Sequence, residues 1–230
     1  MRALLTLLAL VSLPVPLSVL AAGLNDTGVT QCTNGGASLV ACDSSNTGNS
    51  AAYPRQDARF GRDAAQAAGK LPAKTGGGAA GFDFTPLNVA GNAIAITSGV
   101  PASTPACIHD NVTNLTWEVK TAANMYDWYD FAAASTYASD TNIAGLCVVA
   151  GSNPWRVPSR RELLSIVHHG VNSPAIDPDY FPNTDSNWFW TSDIYAPVPA
   201  NAWGVVFYDG YSYANYQSGS GHVRLVRSGQ

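Results

Sequence analysis

The sequence predicts an α+β chain, in which short helices sit beside antiparallel strands behind a loop-rich leading segment. Three observations carry this. Ser159 and Glu162 form an S-x-x-E capping box ahead of an apolar run, the signature of a helix start. Leu115, Trp117 and Val119 alternate with polar residues, as a strand with one buried face requires. All six Trp fall between Trp117 and Trp203, which places the larger core in the C-terminal half of the 230 residues.

In chain order, residues 1–22 read as an export signal. Arg2 supplies the positive end, and Leu4 to Leu20 is apolar but contains Pro14 and Pro16. Two prolines would break a spanning helix. Small residues ahead of the junction place cleavage after Ala21 or Ala22. No Cys follows at once, so a lipid anchor is not expected, and no later stretch reaches the ~18–20 apolar residues of a membrane span. The expected location is outside the cytoplasm: periplasmic, cell-surface or secreted.

Residues 23–103 are expected to form a Gly-, Ala- and Asn-rich N-terminal segment, with a domain boundary near 103. Within it, Arg55 to Pro72 has an Ala-rich centre suited to a short helix ended by Gly69 and Pro72. Phe82 to Thr97 reads as two short strands about a turn near Gly91-Asn92. From Ala106, two strands flank Asp110 to Asn114. A helix is expected over 127–138 with Trp128, Phe131, Ala132 and Ser135 on one side, and another over 160–169 ended by Gly170. Residues 172–184 are too rich in Pro for regular structure. Three antiparallel strands follow, "WFWTSDIY", "AWGVVFYDG" and "HVRLVR". The third is expected to pair with the second, with Tyr208 to Ser220 as a loop between them.

Export permits disulfides. The four cysteines, Cys32, Cys42, Cys107 and Cys147, allow three pairings. Cys32–Cys42 with Cys107–Cys147 is the favoured set, and no CxxC pair points to zinc or redox work.

Charge excludes some partners. The net charge is −4, and residues 105–230 hold six Lys and Arg against eleven Asp and Glu. Nucleic acid needs a basic stripe. Only Arg156, Arg160 and Arg161 form a small cluster, so no nucleic-acid partner is expected.

Motifs for chemistry are weak. Gly76 to Gly81 matches G-x-G-x-x-G but follows Lys74-Thr75 rather than a strand, so it reads as a loop. His168 and His169 are adjacent and would diverge by about 100° on a helix. Asp177, Asp179 and Asp185 could ring calcium, although Asp beside Pro is more often a turn former. No nucleophile elbow occurs. The expectation is no catalytic residue, no metal and no cofactor. Asn25, Asn111 and Asn114 begin N-x-T sequons, relevant only in a glycosylating cell.

From about Cys107 to Arg227 several motifs occur in order: Asp110-Asn111-x-Thr113-x-Leu115-x-Trp117, Trp155-Arg156-x-Pro158 with Glu162-Leu163-Leu164, Pro174-Ala175-Ile176 with Tyr180-Phe181-Pro182, Trp190-Thr191-Ser192, Ala202-Trp203 with Phe207 and Gly210, and Val223 to Arg227. This part of the chain resembles the Lcl C-terminal domain family, named after a bacterial collagen-like adhesin. The family is similar in pattern to the C-type-lectin-like fold, which includes formylglycine-generating enzymes and the variable proteins of diversity-generating retroelements. The resemblance implies two helices, a small twisted antiparallel sheet, chain ends joined by the last strand, and binding near the C-terminus. No Cys follows Cys147, so the enzymes' cysteine chemistry does not carry over, and the calcium-sugar motifs of animal lectins are absent.

The expected function is therefore a non-enzymatic exported module that binds a protein or glycan. Tyr and Trp give rigid contact area, and Ser, Gly and Asn give adaptable hydrogen bonds. Such residues fill the candidate binding set: Asn187, Trp188, Tyr195, Asn201, Tyr208, Tyr211, Tyr213, Asn215 and Tyr216; for the tyrosines of 208–216, packing on the sheet stands beside binding as a second reading. In retroelement-diversified relatives these residue types gather at mutable positions, so the resemblance extends to a variable protein. A structural envelope or appendage component is the alternative, and an enzyme of the formylglycine-generating type a more remote one.

Overall fold

A computed structural model describes residues 25–33, 39–40, 42, 56–147 and 153–228. The expected export signal lies outside these residues. No helix among them is long and apolar enough to cross a membrane.

Two main sheets build the fold. The first has the order β11-β7-β6-β3, with β3 at Phe84–Leu87, β6 at Cys107–Asp110, β7 at Leu115–Glu118 and β11 at Val226–Ser228. The second has the order β10-β9-β8, with β8 at Trp188–Ile194, β9 at Asn201–Val206 and β10 at Ser212–Tyr216. All pairings within them are antiparallel. Two-residue pairs complete the strands: β1 (Cys32–Thr33) with β2 (Leu39–Val40), and β4 (Ile96–Thr97) with β5 (Val100–Pro101). Helices are α1 (Arg62–Ala67), α2 (Phe131–Ala144) and α3 (Arg160–Leu164). The architecture is α+β, as expected, but the single sheet is split in two.

The two sheets share their cores. Trp117, Ile108 and Val226 of the first meet Phe189, Val205 and Phe207 near the second, together with Leu163, Tyr180 and Phe181. A second cluster gathers Trp155, Trp188, Trp190, Ala134, Ala138 and Leu225 around the Cys107–Cys147 disulfide. Cys32 pairs with Cys42. The favoured pairing is thus the one found.

Several expectations change. The strand at Leu115–Glu118 has no solvent face: all four residues are buried, because Leu115 and Trp117 pack in the first core cluster and Glu118, on the other face, is enclosed by Lys120, Tyr137 and Leu225. Helix α2 starts at Phe131, capped by the Asp130 carboxylate accepting from the Ala133 amide, and ends at Gly145 in the left-handed region. Trp128 precedes it and is half exposed. Helix α3 stops at Leu164 rather than 169. Beyond it the amides of Ile166 and Val167 bond three residues back, while His168 N–H donates to Ala175 and His169 N–H to Thr27. Tertiary acceptors take the donors that a longer helix would need.

The final strand also pairs differently. β11 bonds to β7, and β9 is bonded instead by β10, inside the expected loop. The strand β3 precedes the expected boundary near 103, yet it bonds to β6, and Phe82 and Phe84 lie in the first core cluster. The two strands expected over 82–97 exist as β3 and β4, but β4 pairs with β5. Gly91 makes the intervening turn with φ 81°.

Buried charge joins the two halves of the core. Arg224 is fully buried and donates to the Glu118 carbonyl at 2.7 Å and to Thr184 Oγ1 at 2.6 Å. Its guanidinium lies over Phe181 and Phe189. The Glu118 carboxylate accepts from Lys120, Tyr137 and the Leu225 amide. Burial pulls Arg224 down to about 10 against the attraction of Glu118.

Candidate functional site

The β9–β10 hairpin turns at Phe207 to Gly210. Gly210 adopts φ 81° and donates to Val206 O, and the Asp209 carboxylate accepts from the Tyr211 amide. Phe207 anchors the turn by packing edge-on to Phe189. Tyr208 sits at the tip, exposed.

Alternation along β10 then sorts the side chains. Paired residues share a face. Ser212 and Ala214 oppose Val205 and Trp203, while Tyr213 opposes Gly204 on the other face. Gly204 has no Cβ because one there would lie 2.4 Å from the Trp188 indole. Tyr213 covers that indole with ring centroids 4.2 Å apart, and Tyr211 stacks on Tyr213 at 6.1 Å.

On the first face a cleft of about 490 Å³ opens between Arg160, Tyr195, Trp203 and residues 211–214. Arg160 stacks 3.9 Å over Trp203 and donates from Nε to Ser212 Oγ at 3.0 Å. Tyr195 stands edge-on to Trp203. A bulge in β8 between Trp190 and Ile194 makes this possible. Within it Asp193 accepts from the Arg160 amide, and Ser192 donates to Pro158 O, so the start of α3 is docked on the sheet.

Helix α3 is held by its own charges. Arg156 grips Glu162 with two bonds of 2.8 and 2.6 Å, and Ser159 completes the capping box. Burial works against ionisation of Glu162, yet Arg156 and the Ser159 amide together hold its pKa below the ordinary value. The residues between Trp155 and Glu162 thus position Arg160.

The candidate residues divide. Tyr208, Tyr211 and Tyr216 are 59%, 65% and 64% exposed, and Tyr213 is 39% exposed. Tyr195, Asn201 and Asn215 are half-buried, and Asn187 is exposed with its amide on Asp185. Trp188 is buried beneath Tyr213 between Gly204 and Gly221, so it supports the surface rather than forming it. Trp190, Val205 and Phe207 are buried, whereas Trp203 is half-buried and forms the cleft wall. Arg160, Trp203, Ser212 and Ala214 were not legible as a site. The only trace was Ser and Ala alternating with Tyr over 211–214.

The remaining polar groups are occupied with packing. His168 Nδ1 accepts from the Gly170 amide, and His109 Nδ1 meets Thr116 Oγ1. His222 bonds the Asp127 carbonyl through Nδ1, and burial lowers its pKa. Asp177 accepts from the amides of Ala79 and Asp179, while Asp185 accepts from Asn187. No group of three metal-ligating side chains comes together among the described residues.

A model of the Lcl C-terminal domain family matches residues 106–227, from just before β6 into β11. The chain belongs to the Lcl C-terminal domain family. The match takes in both helices α2 and α3, the whole β8–β9–β10 sheet and the cleft. The Lcl C-terminal domain alone does not complete its first sheet, because β3 lies upstream of the match. No curated protein matches the chain.

Proposed function

We propose that this Lcl C-terminal domain protein is an exported, non-enzymatic binding module of C-type-lectin-like fold, which engages a protein or glycan through the β9–β10 surface. The observation that carries this reading is the exposure of Tyr208, Tyr211, Tyr213 and Tyr216 beside an open cleft lined by Trp203 and Arg160. Aromatic rings with polar tips are rigid contact groups, and Tyr208, Tyr211 and Tyr216 present most of their surface to solvent rather than to the core. Pairing of β11 with β7 supports the fold assignment, since it joins the start and end of the family domain. The two disulfides support an oxidising location. Exposure of Asn187 and the tyrosines also suits positions open to diversification. In that case a near-copy of the coding stretch for 187–217, differing mainly at adenines, lies beside a reverse transcriptase gene.

The test is the variant with Tyr211, Tyr213 and Tyr216 all replaced by Ala. Purified wild type and variant are compared on a glycan array and against a displayed peptide library. The expected result is loss of the wild-type ligands with little change in melting. The Tyr213–Trp188 contact is worth ~0.5–1.5 kcal/mol, which corresponds to a Tm change of roughly 5 °C or less. A fall above about 10 °C would assign these tyrosines to packing. Retained binding would remove them from the site, and absence of any wild-type ligand would favour a structural envelope component.

A further inference from the structure

The two main sheets have four outer edges, and three are closed. The outer edge of β11 exchanges two bonds with Arg156, that of β3 exchanges two with Gly77, and that of β8 is covered by His222 running parallel to Phe189. The fourth edge belongs to β10. Its hydrogen-bond parity can be read from its two ends: Val206 N–H donates to Tyr211 O, and Gln217 N–H to Ala200 O. In an antiparallel ladder the bonded residues alternate. Tyr211, Tyr213, Asn215 and Gln217 therefore face β9, and Ser212, Ala214 and Tyr216 turn their backbone groups outward.

Tyr216 is served locally, by the Asn215 side chain at its amide and by Gly219 N–H at its carbonyl. Among the described residues, what stays open is the N–H and C=O of Ser212 and of Ala214. Natural edge strands are blunted by Lys, Pro or inward charge, and Ser212–Tyr216 contains none of these. On the Ser212 and Ala214 face lies Arg160, which forms no ion pair among the described residues and is fixed by Trp203 and Ser212.

We propose that β10 accepts an extended peptide segment of a partner protein as an added strand, bonded to Ser212 and Ala214, with an Asp or Glu of that segment reaching Arg160. This rests on the reading of the β9–β10 surface as a binding site and narrows its ligand to an acidic peptide. Strand addition supplies affinity through main-chain bonds and specificity through alternate side chains. The peptide side chains on one face fall over the cleft, where Arg160 selects an acid. A carboxylate there can take the guanidinium two-pronged.

The experiment combines amide exchange with selection. In the free protein the amides of Ser212 and Ala214 should exchange at least ten times faster than those of Tyr213 and Asn215. Phage-displayed random nine-residue peptides selected on the wild type should be enriched in Asp and Glu. The bound peptides should slow exchange at Ser212 and Ala214 at least tenfold, and Arg160→Glu should weaken them at least tenfold. Equal protection of all four amides in the free protein overturns the proposal, because the edge is then already covered. So does a wild type that enriches no peptide, or enriches peptides without acids, or binds only the glycan array. Peptides that are lost with Tyr211→Ala and Tyr213→Ala but leave Ser212 and Ala214 exchange unchanged overturn strand addition and keep the aromatic surface. Peptides indifferent to those tyrosines overturn the surface reading itself.

Discussion

Replacing Arg224 by Met removes a cation that two parts of the core depend on. The native guanidinium is fully buried, donates two short bonds to Glu118 O and Thr184 Oγ1, and lies 5.1 Å over the Phe181 ring. Met fills similar space and keeps contact with Phe181 and Phe189, so cavity formation is small. The loss is electrostatic. Two acceptors lose charged donors, and the Glu118 carboxylate keeps Lys120 as its cationic neighbour. Two hydrogen bonds from a charged donor are worth about 1.5–3 kcal/mol each, about 3–6 kcal/mol together. For a chain of this size each kcal/mol is ~2–4 °C in Tm, so the expected fall is roughly 6–24 °C. Thermal unfolding by circular dichroism, with the guanidinium chloride midpoint as a second reading, measures it. Arg224→Lys should lose most of the same stability, since an ammonium cannot span Glu118 O and Thr184 together. A fall below about 2 °C in Arg224→Met, or a gain, would refute the argument. It would mean that desolvating the guanidinium costs as much as its bonds return.

Other outcomes follow from the same core. Replacing Cys107 and Cys147 by Ala opens a link between residues 40 apart, and the chain-entropy relation gives a loss of about 4 kcal/mol, read as a Tm drop on calorimetry. Burial raises the Asp110 pKa to about 6, from 3.8, despite bonds from Thr113 and Val112. Between those values the native state holds the extra proton, so stability falls as pH rises from about 4 to 6, by up to ~3 kcal/mol. Melts of wild type and Asp110→Asn from pH 4 to 7 test this: the wild type should lose ground to the variant as pH rises, and parallel curves would contradict it. Gly204→Ala forces a Cβ against the Trp188 indole and Phe189 O. A loss of about 1–3 kcal/mol and a shifted Trp fluorescence spectrum are expected, and unchanged emission would show that the indole is not gripped there.

Local signals in the sequence located what is locally determined. The S-x-x-E box marked the start of α3, because the cap is made by residues three apart. The strands on either side of Asp110 were legible because Asp110 itself forms the turn, accepting from Val112 and Thr113. Both disulfides were legible, since a short loop and the remaining pair left one simple solution. The tyrosines near the C-terminus were visible as an unusual composition, and they are exposed. The strand character of Ser212 to Tyr216 was not visible, because Ser, Asn and Gly dominate its surroundings and its pairing with β9 supplies what propensity lacks.

Composition, caps and cysteine spacing by themselves determined an α+β chain with a tyrosine-rich stretch near its end. Tertiary structure alone decided the length of α3, because the amides of His168 and His169 beyond its end are taken by Ala175 and Thr27. It also decided the partner of β11, the burial of Arg224, and the meeting of Arg160 with Trp203 and Ser212. The physical reason is common to all of these. They rest on hydrogen-bond partners and ring contacts outside the element concerned, which no local pattern records, whereas a cap or a turn is satisfied within its own few residues.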